Sequence, residues 1–305
     1  MIVVAGEALV DLLVQPDGRV DAAPGGGPFN TARTIARLGQ PVAFLGRLSD
    51  DGFGRRLRMM LAEDGVDASF VEPAAEPTTL AVAELDGRGS ATYRFHTAGT
   101  SAPGLSAEAI GRALATRPAA VCVASLGLVL EPMADSLAAA VTTVDPGTLV
   151  MLDPNCRPIL IADRARYLTR LDPVIRRSDV IKLSGDDLEY LVPGVAAIDA
   201  ARSLLRGGPA AVLLTNGPDP VVVLTPDLEF ELQVPAVDVV DTVGAGDAFG
   251  GAFLARWIER GLGRADLADE TALRDAAGRA IEVGAATCRR AGADPPRAGE
   301  LDLTR

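Results

Sequence analysis

The sequence predicts an α/β protein built on a mostly parallel sheet covered by helices on both faces. Short apolar runs alternate with amphipathic stretches for most of the 305 residues. Aromatic residues make up only 4% of the chain, while Ala, Val, Leu and Gly are abundant. The overall hydrophobic content, 48%, is enough to bury a large core. Strands buried on both faces read as continuous apolar runs, and parallel strands need long crossovers that helices fill, so the alternation points to a layered α/β architecture.

The elements follow in chain order. "IVVAG" (2–6) reads as the first strand. The stretch around it carries Glu7 and Asp11 and has no basic head, which argues against a signal peptide. "LVDLLVQPDGRVDAAPGGG" (9–27) breaks the pattern as a small β excursion ending in glycines, and "FNTARTIARLG" (29–39) resumes it as a helix. "VAFLG" (42–46) is a second buried strand, followed by the helical "GRRLRMMLAEDG" (54–65). "TTLAVAELDGRGSATYRFHT" (78–97) alternates about the turn "LDGRG", the signature of an antiparallel hairpin. Four further strands are expected at 119–125, 149–155, 180–184 and 211–217, with "DDLEYLV" (186–192) as a helix after the third of these. With no low-complexity linker and no repeat, a single domain over 1–305 is expected, with lid strands inserted at about 9–23 and 78–97. Right-handed crossovers bring the C-terminal strand ends to one edge, where such sheets bind ligands.

A formal net charge of −12 disfavours nucleic acid and anionic membranes as partners, and a small anionic ligand would need a local cradle. Cys122, Cys156 and Cys288 form no CxxC pair and read as buried thiols. No apolar run approaches the roughly 18 residues of a membrane span. A cytoplasmic protein is the expectation. His96, the single histidine, falls on the hairpin and reads as a partly exposed strand residue, so no His-based triad is available.

The chemistry concentrates in "DTVGAGDAFGG" (241–251). Phe249, Phe253 and Trp257 recur at helical spacing, which starts a helix near Ala245 to Asp247. Its first amides are unpaired, its dipole is positive there, and glycines admit a ligand to the backbone, so Gly244, Ala245 and Gly246 form an anion cradle. Asp247 alone could be an N-cap. Beside the cradle it can instead accept a proton from a hydroxyl that attacks a phosphoryl group held there. A Walker A loop is excluded because the only lysine, Lys182, has no glycine before it, and the GxGxxG fingerprint fails at Phe249.

"DTVGAGDAF" resembles the C-terminal signature of the ribokinase-like sugar kinases, the PfkB carbohydrate kinase family. "PGGGPFNTARTIARLG" (24–39) resembles the family's N-terminal signature, and "GRLSDDGFGRRL" (46–57) the segment after it, in the same order and with matching gaps. The resemblance implies a ribokinase-like fold with a small β-sheet lid and ATP as phosphoryl donor with Mg²⁺. It makes Asp247 the base and the amides of Gly244 to Asp247 the anion hole. It puts a K⁺ site at Asp241 and the Val243 carbonyl, with further carbonyls from "CRRAGA" (288–293). Asp11, Gly25, Gly26 and Asn30 match sugar-hydroxyl positions. "DPNCRP" (153–158) resembles the DxNxR motif of fructokinase-like and 2-keto-3-deoxygluconate kinase-like members, with Arg157 facing the phosphate or an anionic sugar group. Ser184 and Asp187 occupy the slots of the family's Asn-x-x-Glu motif, with Asp187 reaching Mg²⁺ through water. Thr215 and Gly217 match its nucleotide-phosphate turn, and a polar adenine contact is expected at Ile281 or Glu282.

The expected activity is transfer of the γ-phosphoryl of ATP to a monosaccharide hydroxyl, fructokinase-like, with 2-keto-3-deoxygluconate and ribose as rival acceptors. The resemblance also implies a homodimer joined through the lid. A reading of another class is a noncatalytic sugar-binding regulator on the same fold, against which the intact Asp247 and Gly-Ala-Gly turn speak.

Overall fold

The structure, a computed structural model, describes residues 1–85 and 91–301. Its main sheet contains β1 (Ile2–Ala5), β4 (Val42–Ser49), β5 (Val71–Ala74), β8 (Ala120–Ala124), β9 (Leu149–Asp153), β10 (Val180–Ser184), β11 (Ala211–Thr215), β12 (Val221–Leu224) and β13 (Glu229–Leu232). Across the sheet the order is β13-β12-β11-β10-β9-β8-β1-β4-β5. Every neighbouring pair is parallel except β11 with β12 and β12 with β13, which turn back at one edge. The six apolar runs read from the sequence are the six central strands. The edge strands β5 and β13 carry no comparable apolar run, whereas β12, Val221–Leu224, is a short apolar run that the sequence reading leaves unassigned.

Period-two alternation divides the core between the two sheet faces. In β1, Ile2 and Val4 face one layer while Val3 and Ala5 face the other. The first layer holds α1 (Gly27–Arg37), α2 (Gly52–Asp64), α8 (Ala245–Glu259) and α9 (Glu270–Cys288). The second holds α3 (Ala107–Ala115), α4 (Met133–Val141), α5 (Arg164–Arg177), α6 (Gly185–Leu191) and α7 (Ala197–Leu205). The aromatic stripe of α8 does what its spacing predicts: Phe249, Phe253 and Trp257 are buried, the last two rings stacked at 5.5 Å. No helix of the described residues is long and apolar enough to cross a membrane.

The two irregular stretches pair with each other. β2 (Leu9–Val14), β3 (Val20–Gly25), β6 (Leu80–Leu85) and β7 (Ala91–His96) make a second, four-stranded sheet in the order β3-β2-β6-β7. β2 joins β6 in parallel, and each hairpin is antiparallel within itself. Residues 86–90, most of the expected "LDGRG" turn, lie outside the described residues. β3 runs on through Pro24 and Gly25, so the second strand of this hairpin ends inside the glycine run.

Candidate active site

In a parallel sheet the crevice opens where the chain order reverses, beyond the C-terminal strand ends. Here that point lies between β1, which leads through α1 to β4, and β8 on its other side. Glu7 fills it. Just past β1, its buried carboxyl group accepts the Gly27 amide at 3.1 Å and the Gly127 amide at 3.0 Å, tying the start of α1 to the turn after β8. Burial pushes this carboxyl up to about 8, with the charge of Asp247 adding to the effect and its backbone hydrogen bonds opposing it.

Asp247 stands in the first turn of α8, 8% exposed. Its Oδ2 accepts the Asn30 side-chain amide at 2.9 Å, joining the two glycine-rich stretches across 217 residues of sequence. Asn30 is buried, and its Oδ1 has no partner among the described residues. Burial raises the Asp247 pKa above the ordinary carboxylate value, while the Asn30 bond and the charges of Lys182 and Arg157 act against it. Gly244 precedes the helix with φ of +76°, and a Cβ there would come within 2.5 Å of the Ala293 Cβ, so the cradle requires glycine on two counts.

The residues matched to sugar positions gather beside this carboxylate. Asp11, on β2, faces Gly25, where any Cβ would overlap its Oδ2. Burial first, and then Asp247, raises the Asp11 carboxyl to about 6, with Arg157 opposing. Gly26 takes φ of +106° as the N-cap of α1, and a Cβ on it would stand 2.7 Å from the Glu7 carbonyl oxygen. A Cβ on Gly27 would lie 3.2 Å from Asp247 Oδ1, 3.3 Å from Ser125 Cβ and 3.5 Å from Asn155 Nδ2. Ser125 and Asn155 themselves adopt positive φ, +52° and +38°. Left-handed backbone at non-glycine residues collects where a site constrains the chain. Arg157 is exposed, and its Nη1 donates to the Asn155 and Cys156 carbonyls at 3.2 and 3.1 Å.

The residues matched to nucleotide positions lie further along the same edge. Ser184 and Asp187 form a reciprocal capping box at the start of α6. The Asp187 Oδ2 accepts from Ser184 N at 2.8 Å and Ser184 Oγ at 2.6 Å, and its Oδ1 from Cys156 N at 2.6 Å. Thr215 ends β11 with its hydroxyl on the Leu183 carbonyl at 3.1 Å, and Gly217, at φ of +56°, makes the turn that follows. Asp241 bridges two loops: its Oδ1 accepts from Val243 N at 3.0 Å and its Oδ2 from Gly292 N at 2.9 Å. Ile281 and Glu282 both lie in α9, and the single histidine, His96, is exposed at the end of β7.

Sequence reasoning passed over a buried ion pair in the same crevice. The register sets Ile181 beside Leu152, so Lys182 and Asp153 follow as neighbours at the ends of β10 and β9. Lys182 Nζ meets Asp153 Oδ2 at 3.0 Å, with both side chains 6% exposed. Burial raises the Asp153 carboxyl to about 6 against the pull of Lys182, while burial lowers the Lys182 ammonium and the carboxylates of Asp153, Asp247 and Asp187 together raise it above its ordinary value. The available signal was a lysine inside an otherwise apolar strand run, "VIKLS". Glu7 was legible only as an acid that ruled out a signal peptide. Among the described residues no three His, Cys, Asp or Glu side chains cluster as a metal site.

Comparison with known proteins agrees with this architecture. Residues 1–298 match the model of the pfkB family carbohydrate kinases. A fructokinase of Klebsiella pneumoniae is 34% identical over 285 residues, 90% of this chain and 91% of that one. The crystal structure of a Xylella fastidiosa fructokinase with bound ATP superposes with a TM-score of 0.91 at 28% identity, covering 99% of this chain and 97% of the other. A double mutant of Vibrio cholerae fructokinase, in a form with fructose, ADP and potassium ion bound, gives a TM-score of 0.86 at 26% identity, with 99% and 97% covered.

Proposed function

The chain belongs to the pfkB family of carbohydrate kinases and is an ATP-dependent sugar kinase, and on that premise we propose that its acceptor is fructose. Similarity to proteins named fructokinase at 34, 33 and 32% identity supports the choice of sugar, and the junction of Asp247 and Asn30 supports the transfer itself: a buried carboxylate beside helix-start amides, bonded to the helix that follows the glycine run. Phosphoryl transfer needs positioning and charge stabilisation, with no covalent enzyme intermediate. In this reading Asp247 takes the proton of the attacking hydroxyl while the amides of Gly244 to Asp247 receive the charge of the phosphoryl oxygens. Asp11, Asn30 and the backbone at Gly25 and Gly26 hold the sugar hydroxyls, and the unpartnered Asn30 Oδ1 is an acceptor waiting for one. Ser184, Asp187, Thr215 and Gly217 are assigned to the nucleotide side.

Mg²⁺, when bound with ATP, supplies charge neutralisation at the phosphates. A carboxylate has about four acceptor sites, and Asp187 already uses three of them, which suits contact through water and not direct ligation. For K⁺ the fitting donors are Asp241, whose two oxygens each keep a free lone pair beside their single amide bonds, and the Val243 carbonyl. The second sheet acts as a lid over the sugar, excluding water as a competing acceptor. The exposed Val20 and Tyr93 on it favour a homodimer through that lid. The protein is assigned to the cytoplasm.

Kinetics with fructose, ribose and 2-keto-3-deoxygluconate, on wild type and on Arg157→Gln, test the assignment. Fructose should give the highest kcat/KM, and the variant should lose activity equally on all three sugars. A selective loss on the sugar acid, with the acid as the best wild-type substrate, would make the protein a sugar-acid kinase. Turnover should also rise as K⁺ is added to a K⁺-free assay; a flat titration removes the cation site and leaves the kinase standing.

A further inference from the structure

We propose that Lys182 is a further catalytic residue of this kinase: its ammonium, held by Asp153 behind Gly246, donates to the transferred phosphoryl group. The inference rests on the kinase reading above and adds to it a residue outside the signature motifs.

Four observations carry it. Lys182 is 5% exposed, and of its three N–H donors one meets Asp153 Oδ2 at 3.0 Å, with no further protein acceptor among the described residues. A buried ammonium with unused donors is costly unless a ligand supplies oxygens. A Cβ placed on Gly246 would sit 2.9 Å from Lys182 Nζ, so the second glycine of the cradle is what leaves the ammonium open toward it. Asp153 Oδ1 is buried without a partner among the described residues, which leaves this carboxylate also incompletely satisfied by them.

The charges of the crevice point the same way. Asp247 faces Asn30 from α1, Lys182 from β10 and Arg157 from the loop after β9, and it acts on the carboxyls of Glu7, Asp11 and Asp153. A polyphosphate entering that cluster meets several acids and two cations. Arg157 is exposed and turned onto carbonyls of its own loop, whereas Lys182 is fixed and desolvated, where a charge acts most strongly. In the transfer, the sugar oxygen forms a bond to phosphorus as the bond to the ADP oxygen breaks, and the hydroxyl proton passes to Asp247. Lys182 keeps its three protons throughout.

Lys182→Met, Asp153→Asn and the double variant, assayed as the full-length protein with ATP and the best sugar, separate this role from a structural ion pair. Lys182→Met should lower kcat by about 10² to 10³, the scale of a lost transition-state donor, while the sugar KM changes by less than about threefold. Its acid limb in the kcat/KM profile should move to higher pH, because Asp247 loses a positive neighbour. Asp153→Asn, which keeps an oxygen for the ammonium, should lose no more than about tenfold in kcat. The double variant removes the unpaired charge and should recover thermal stability with kcat still low. Recovery of kcat to within about threefold in the double variant, an unmoved acid limb in Lys182→Met, or a loss in Asp153→Asn as large as the double variant's overturns the proposal. Wild-type protein that phosphorylates no sugar would instead sink the kinase reading itself.

Discussion

At the start of α8 the protein leaves polar atoms without partners, whereas at the start of α6, on the same edge of the sheet, it pairs them with one another. Among the described residues the Asp247 side chain has a single partner in Asn30, and both Asn30 Oδ1 and Asp153 Oδ1 are buried and unpaired. Ser184 and Asp187 exchange hydrogen bonds reciprocally and draw in the Cys156 amide as well. Both regions begin a helix and both carry an acid in its first turn, so local sequence alone does not distinguish them. What differs is whether the protein or a ligand completes the hydrogen bonding. Substitution in the first region should therefore fall on catalysis, and in the second mainly on stability, with a smaller catalytic loss from the water-mediated contact assigned to Asp187.

The largest effect is expected at Asp247. Asp247→Asn should lower kcat by about 10² to 10⁴ with sugar binding largely kept, and it should not lower the melting temperature, because burial already disfavours the carboxylate. Near-normal turnover in steady-state assays would reduce Asp247 to a helix cap and break the comparison at its strong end.

Next in size is the sugar end of the crevice. Asp11→Ala should raise the sugar KM about tenfold or more while the KM for ATP stays within about twofold. An equal rise in both constants would mean that Asp11 shapes the whole crevice and not one ligand's place in it.

Asp187→Ala addresses the self-satisfied region. Losing the box and the Cys156 amide contact should cost about 1 to 3 kcal/mol of stability in urea titrations, with kcat reduced by less than about tenfold. A catalytic loss matching that of Asp247→Asn would show the two helix starts to be alike after all.

The contrast also bears on what could be read in advance. The central strands, the hairpins and the start of α8 were legible because periodicity and glycine placement are local signals. Asp247 was legible because the cradle and the acid are adjacent in sequence. Lys182 and Asp153 are 29 residues apart and meet only through the register of β10 on β9. Glu7 acts through amides at Gly27 and Gly127, 20 and 120 residues away. The Ser184–Asp187 box lies within four residues, yet the same spacing serves a cap and a ligand site equally. The partners seen in the fold show the cap, and the ligand role is what the proposed function adds to it.

The smallest effect concerns Glu7 and is one of slope. Its carboxyl rises from 4.5 unfolded to about 8 in the fold, so the folded state holds the proton more tightly. That contribution to stability is complete below the unfolded value and is lost as the pH rises through the folded one. Melting temperatures measured from pH 5 to 8.5 should fall with rising pH more steeply in wild type than in Glu7→Gln. Parallel curves would mean that Glu7 does not hold its proton in the fold.

The most direct test of the central claim is ³¹P NMR of wild-type protein incubated with ATP, Mg²⁺ and fructose. A sugar-phosphate ester resonance should grow one for one with ADP and be nearly abolished in Asp247→Asn. Inorganic phosphate growing in place of the ester would make water the acceptor, and unchanged ATP with sugar bound would make the protein a noncatalytic binder; either result would contradict the claim.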